Sequence, residues 1–157
     1  VEISIPEDSA RLEFHACEPS MADEDAQCAT LSVPEDRSTF DRRALRLPVL
    51  VLPAKSRDPG ADPVVVLGGG PGNSVIAAFA GMPAAVLADH PLRQHRDLIV
   101  MDQRGVSTVA QASLDCPELV RDYAAGERFA TAAELRGAAQ RCRDRLAARG
   151  IDVKQYD

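Results

Sequence analysis

Apolar residues are spaced along this chain in two different rhythms, and the contrast between them predicts most of its elements. Val64-Val65-Val66-Leu67 and Leu98-Ile99-Val100-Met101 are unbroken apolar runs without alternation. A strand with one face in water alternates, so such runs predict strands covered on both faces, in a central parallel sheet with helices packed over it. About thirty residues separate the two runs, enough for a right-handed crossover. Helical material around Val75 to Phe79 and Ala84 to Asp89, broken by Gly81 and Pro83, fills that connection. The stretch reads as a β-α-β unit.

Upstream, Cys28 to Val33 and Leu45 to Leu52 are rich in leucine and β-branched residues and flank Pro34-Glu35-Asp36-Arg37-Ser38. That composition predicts two strands joined by a turn-rich loop. Pro48 has no N–H to give to a ladder, which places the second strand at or near a sheet edge. Residues 1 to 27 are polar and acidic and read as a solvated leading segment. Within it, Asp23, Glu24 and Asp25 offer too few oxygens in too unshaped a loop to predict a calcium site. Lys55 to Pro63 holds Pro59, Gly60 and Pro63 among charges and reads as a loop. Near the other end, Thr131-Ala132-Ala133-Glu134 has the pattern of a capping box. Leu135, Ala138, Ala139, Cys142 and Leu146 then recur at helical spacing until Gly150 supplies a stop.

Composition narrows the class. With 157 residues, 45% apolar and 27% charged, the chain can bury one ordinary core, which predicts a single domain over 1–157. Lys+Arg at 18 against Asp+Glu at 24 gives a formal charge of −6. That sign is wrong for neutralising phosphates, so neither nucleic acid nor an anionic membrane is an expected partner. The longest apolar stretch, Val75 to Ala88, is shorter than the roughly 20 residues a bilayer requires and contains Gly81 and Pro83, so no span is expected.

Cys17, Cys28, Cys116 and Cys142 form an even set without a C-x-x-C pair, which favours disulfides over a zinc site or a redox dithiol. Of the three possible connectivities, Cys17–Cys28 with Cys116–Cys142 is expected because each bridge closes a short polar loop. Each would stabilise by roughly 3 kcal/mol through the unfolded chain. The second would fasten the late helix to the segment that follows Leu98–Met101. Disulfides imply an oxidising compartment, secreted or periplasmic. No basic segment followed by an apolar one opens the sequence, so any signal peptide is expected to lie outside these residues.

The main chemical candidate is Gly68-Gly69-Gly70-Pro71-Gly72-Asn73-Ser74, directly after one apolar run and before helical material. Such a loop turns sharply and leaves backbone N–H groups uncovered, as an anion site requires. It lacks a Gly-Lys-Ser/Thr ending and G-x-G-x-x-G spacing with a distal acid, which argues against a nucleotide. A tight turn without chemistry and an oxyanion hole are the other two readings.

Gly68-Gly69-Gly70-Pro71-Gly72 resembles the His-Gly-Gly-Pro-Gly oxyanion loop of proline iminopeptidase-like α/β-hydrolases, with glycine in place of the histidine. Asp102-Gln103-Arg104-Gly105 resembles the Asp-Gln-Arg-Gly motif of the same family. Cys28-Ala29-Thr30-Leu31-Ser32-Val33-Pro34, Ser113-Leu114-Asp115-Cys116-Pro117 and Gly150-Ile151-Asp152 look like its secreted branch, the tripeptidyl aminopeptidase-like hydrolases and related esterases. The resemblance implies the N-terminal part of an α/β-hydrolase fold: a mixed sheet with antiparallel strands first, then parallel strands with crossover helices, and the start of a cap segment over 111–150. By position, Gly70 takes the oxyanion donor's place and Gly69 shapes the loop. Asn73 and Ser74 would lie near the substrate. Asp102 and Arg104 would hold the loop after their strand. Where the family adds a further glycine and serine, this chain has Val106-Ser107-Thr108-Val109, which predicts a differently shaped loop there.

The nucleophile of this fold occupies a G-x-S-x-G elbow after a later strand. Here only Gly105-Val106-Ser107-Thr108-Val109 approaches that pattern, without its last glycine, so Ser107 is a poor candidate. His15, His90 and His95 are poor bases, the last two in a polar stretch expected at the surface. A triad of Ser, His and Asp is therefore expected on a C-terminal chain or remainder of the same hydrolase. Ester or peptide would be the substrate, with neither metal nor organic cofactor. The competing class is a non-enzymatic binding module whose glycine loop captures an anion.

Overall fold

The computed structural model describes residues 10–18, 25–38, 43–69, 72–106, 113–119 and 131–156. It divides into two compact units, Val1–Ser113 and Leu114–Asp157. The first holds a five-stranded sheet of β1 (Arg11–His15), β2 (Gln27–Pro34), β3 (Ala44–Leu52), β4 (Val64–Val66) and β5 (Leu98–Met101), in the order β1-β2-β3-β5-β4. The first three strands and the β3–β5 pair are antiparallel, whereas β4 and β5 are parallel. Helices α1 (Val75–Ala80) and α2 (Ala84–Ala88), with a 3-10 turn at Pro91–Gln94, occupy the connection from β4 to β5. A mixed sheet of this kind is compatible with part of an α/β fold.

The core forms where β3 and β5 lie side by side. Register pairs Leu50 with Val100 and Leu52 with Leu98, and these four pack with Phe79 of α1 and Leu87 of α2. Burying side chains of this size stabilises by roughly 1.5–3 kcal/mol each. The apolar runs at residues 64 and 98 thus do form a parallel pair, but they are not equally covered. Leu98 and Val100 are buried, while Val65 and Leu67 are 50% and 65% exposed. The reason is alternation in a strand that, among the described residues, is paired only through β5: Val64 and Val66 pack against the core and Val65 between them points away from it.

One further expectation is corrected. β3, expected near an edge because of Pro48, lies inside the sheet, between β2 and β5. Its proline is tolerated because β5 pairs only with Val49–Leu52, so Pro48 sits in the half of β3 that faces β2 alone. Within the leading segment, Arg11–His15 forms β1 on the far edge. All five of its residues are exposed, so no buried stripe marked it in the sequence. The calcium candidates Asp23 and Glu24 lie outside the described residues, whereas Asp25 pairs with Lys55 at 2.7 Å.

Arg93, in the stretch read as polar surface, is fully buried. Its Nε–H donates to the Pro53 carbonyl at 2.7 Å and its Nη1 to the Leu87 carbonyl at 3.4 Å, tying the end of β3 to the end of α2. A buried cation is costly unless such acceptors meet it. His90 is half-buried with its ring 6.2 Å from that of Phe79, while His95 is exposed as expected.

The second unit centres on α3 (Ala132–Ala148). Thr131 accepts from the Glu134 N–H at 3.2 Å and Glu134 accepts from the Thr131 N–H at 3.0 Å, the reciprocal capping box anticipated from the sequence. Gly150, at φ +76°, lets the chain reverse so that Ile151 N–H donates back to the Leu146 carbonyl. Cys142, Leu146 and Ile151 are buried together, with Leu114, Cys116, Val153 and Tyr156 packed against them. The disulfides join Cys17 to Cys28 and Cys116 to Cys142, as expected. No helix among the described residues is long and apolar enough to cross a membrane.

Arg145 donates to both carboxylate oxygens of Glu118, at 2.7 and 3.2 Å, and to the Asp115 carbonyl. Hydrogen bonding to this guanidinium holds the Glu118 carboxyl below its usual range. The unfolded chain therefore takes up this proton more readily, so the stabilisation is present above about pH 4.3 and fades as pH falls through the lowered native value. Glu118→Gln is expected to lower the urea midpoint at neutral pH, with the gap to the unmodified protein closing in acid. Arg93→Ala is expected to cost roughly 3 kcal/mol, read as a lower urea midpoint with unchanged slope.

Candidate functional site

The carboxyl ends of the two parallel strands face one cleft of about 240 Å³. Ligand sites of open α/β sheets favour this location because loops leaving neighbouring parallel strands diverge there. One wall is Gly68, Gly69, Gly72 and Asn73, after β4; the other includes Met101, Asp102 and Gln103, at the end of β5.

Two of the three glycines on the first wall have a local reason. A Cβ on Gly68 would lie 3.2 Å from Val75 Cγ2, so the loop leaves β4 pressed against the first residue of α1. A Cβ on Gly69 would meet nothing within 4 Å. Gly72 sits at φ +97°, a conformation that residues with a Cβ rarely adopt. Gly70, the expected oxyanion donor, and Pro71 lie outside the described residues, as do Ser107 and the rest of the loop after Val106.

Asn73 is exposed and lines the cleft. Ser74 is the N-cap of α1, where its Oγ accepts from the Ala77 N–H at 2.9 Å and donates to Asp102 Oδ2 at 2.7 Å. The other oxygen, Asp102 Oδ1, accepts from the N–H groups of Val75 and Ile76 at 2.9 and 3.2 Å. Asp102 is only 1% exposed, and a carboxylate at that depth needs such donors. It therefore acts on the start of α1 as well as following directly on its own strand. Arg104 Nη1 donates to the Glu35 carbonyl at 3.1 Å, tying the loop after β5 to the loop after β2. The Ser74–Asp102 link and the cleft position of Gln103 were not anticipated. A serine three residues before a helical N–H marks a cap in sequence, but nothing there names the carboxylate that completes it.

None of the three histidines lines the cleft. His15 is exposed on β1, its ring bonded to the Thr30 hydroxyl at 3.2 Å. Among the described residues, the ligand atoms of Cys116, Glu118 and Cys142 come within 4.8 Å of one another. Both sulfurs are bonded to each other and Glu118 is engaged by Arg145, so this group is not a free donor set for a metal.

No family model matches the chain. Over 97 residues, 59% of the chain, it is 36% identical to Carboxylesterase B of Mycobacterium tuberculosis. The same identity and coverage relate it to a Mycobacterium bovis protein that is assigned by name only to the hydrolases. The matched stretch is 18% of each of these relatives, so the chain spans less than a fifth of their length. The likeness supports a hydrolase family without singling out the tripeptidyl aminopeptidase or proline iminopeptidase group.

Gly72→Ala should destabilise by about 1–2 kcal/mol, because the substituted residue must hold a positive φ. Gly69→Ala should instead leave the unfolding free energy from urea titration within roughly 0.5 kcal/mol of the parent, since its methyl meets open space.

Proposed function

We propose that this chain forms the oxyanion-loop portion of a serine hydrolase of the α/β-hydrolase fold, in the secreted tripeptidyl aminopeptidase-like and proline iminopeptidase-like group. The observation that carries the reading is the glycine-walled cleft at the carboxyl ends of β4 and β5, in a chain whose relatives include proteins named as hydrolases. The name Carboxylesterase B supports a carboxylic ester as the first substrate to try. A peptide with a free N-terminus is the second.

The reaction so read is acyl transfer to water. A serine on the remainder of the protein attacks the carbonyl carbon while a histidine there takes its proton, and an aspartate orients the histidine. The Gly70 N–H helps hold the oxygen that becomes negative, with Gly69 shaping the turn. The histidine then protonates the leaving group, and water repeats the sequence on the acyl-enzyme. No cofactor takes part. The exposed Val65 and Leu67 at the end of the sheet offer a place for the remainder to pair, which would also protect an edge that otherwise invites aggregation. The segment 111–150 is read as the start of a cap. Two disulfides support a secreted or periplasmic setting.

The test is fluorophosphonate labelling of the whole hydrolase, followed by intact-mass analysis under denaturing conditions. A single covalent adduct on a serine supports the reading; no adduct, with anion binding to the loop retained, favours a binding module. In the active protein, Gly70→Pro removes the donor and is expected to lower kcat about 10²–10³-fold with little change in KM.

A further inference from the structure

We propose that Ser74 and Asp102 are positioning residues for the glycine loop, fixing the point at which it enters α1; the inference rests on the oxyanion-loop reading above. An oxyanion donor is effective only if it is held in place before the charge develops, because a loop that must reorganise during reaction gives back what it contributes. A run of glycines is the least rigid way to build such a donor. Something outside the run has to restrain it.

The structure shows one end of the loop fastened to β5 and the other to Asp102, the residue directly after it. At the start, β4 pairs with β5 as far as Val66 opposite Val100. At the finish, Ser74, Val75 and Ile76 are bound to Asp102, two residues beyond Val100. The loop between them spans from one point on a strand to a second point almost adjacent to it. Its base is narrow, with Gly68 against Val75, and its last anchor is a carboxylate that accepts three hydrogen bonds while almost wholly buried. Ser74 joins the two halves of that anchor, since the same Oγ donates to Asp102 and accepts from Ala77 N–H.

The arrangement also resolves an electrostatic conflict. Asp102 lines the cleft in which the oxyanion would form, and a bare carboxylate there would oppose the developing charge. Two backbone N–H groups and a hydroxyl aimed at its oxygens offset that charge. Asp102 thus restrains the loop without presenting unsatisfied oxygens to the site.

The experiment uses the whole hydrolase and compares the parent with Ser74→Ala, Ser74→Thr and Asp102→Asn. It reads kcat and KM for a short-chain p-nitrophenyl ester, and affinity for an alkylboronic acid, whose tetrahedral serine adduct places an oxygen in the oxyanion position. Small misplacements of a catalytic group can cost up to about 10²-fold. Ser74→Ala is expected to lower kcat and boronate affinity together by about 10–100-fold, with KM changed less than threefold, and Ser74→Thr to recover most of both. Asp102→Asn should move them in the same direction; if it does not fold, the Ser74 pair decides. The proposal is overturned if Ser74→Ala lowers thermal stability alone, if it changes only KM, or if kcat falls while boronate affinity does not. A parent protein that neither hydrolyses the ester nor takes up a fluorophosphonate overturns the oxyanion-loop reading and this inference together. An active parent with a silent Ser74→Ala overturns this inference alone.

Discussion

β5 is four residues long, and the larger unit depends on its being paired on both sides. Its antiparallel contact with β3 aligns Leu50 and Leu52 with Val100 and Leu98, which creates the floor on which Phe79 and Leu87 close. Its parallel contact with β4 requires a long connection, since parallel neighbours cannot be joined by a tight turn. That connection supplies α1 and α2. The same pairing aims the carboxyl ends of β4 and β5 in one direction, so the glycine loop and Asp102 meet at one cleft. Core and candidate site are consequences of a single change from antiparallel to parallel pairing.

Two buried charged side chains stabilise what the helices alone could not. Helices as short as α1 and α2 are marginal in isolation. α1 is capped by Ser74 and by Asp102, which accepts two of the otherwise unpaired N–H groups at its start. The end of α2 is held by Arg93, which reaches its Leu87 carbonyl and that of Pro53. An anion meets the N–H end of one short helix and a cation the carbonyl end of the next, each on the side the backbone dipoles favour. In the second unit the helix is long enough to form its own caps, and Cys116–Cys142 and Arg145 serve to fix which segment packs on it.

The candidate site joins fixed and adaptable parts. Gly68 and Gly72 are required by geometry, one by a close approach to Val75 and the other by its positive φ. Gly69 has neither constraint, yet faces open space on the cleft wall. A glycine that the fold does not demand, between two that it does, is what a loop would show if its backbone had to come close to a bound group.

Much of this was legible in local patterns, because local patterns are governed by local physics. Strands β2, β3 and β5, the helical crossover, the capping box at Thr131 and the stop at Gly150 follow from side-chain spacing and from which residues can occupy which backbone conformations. The disulfide pairing followed from the short loops it closes. Where the outcome depended on what lies across space, sequence was silent or misled. Pro48 signalled an edge, yet β3 is interior, because β5 covers only its second half. Arg93 looked like surface until two distant carbonyls made burial of its charge tolerable. Asp102 sits 28 residues from Ser74, and only the parallel pairing of β4 with β5 brings them together. The sequence by itself determined every strand but the fully exposed β1, the main helices and the glycine loop; the tertiary structure decided which strand is interior, which charges are buried and what holds that loop, since those depend on partners no local pattern specifies.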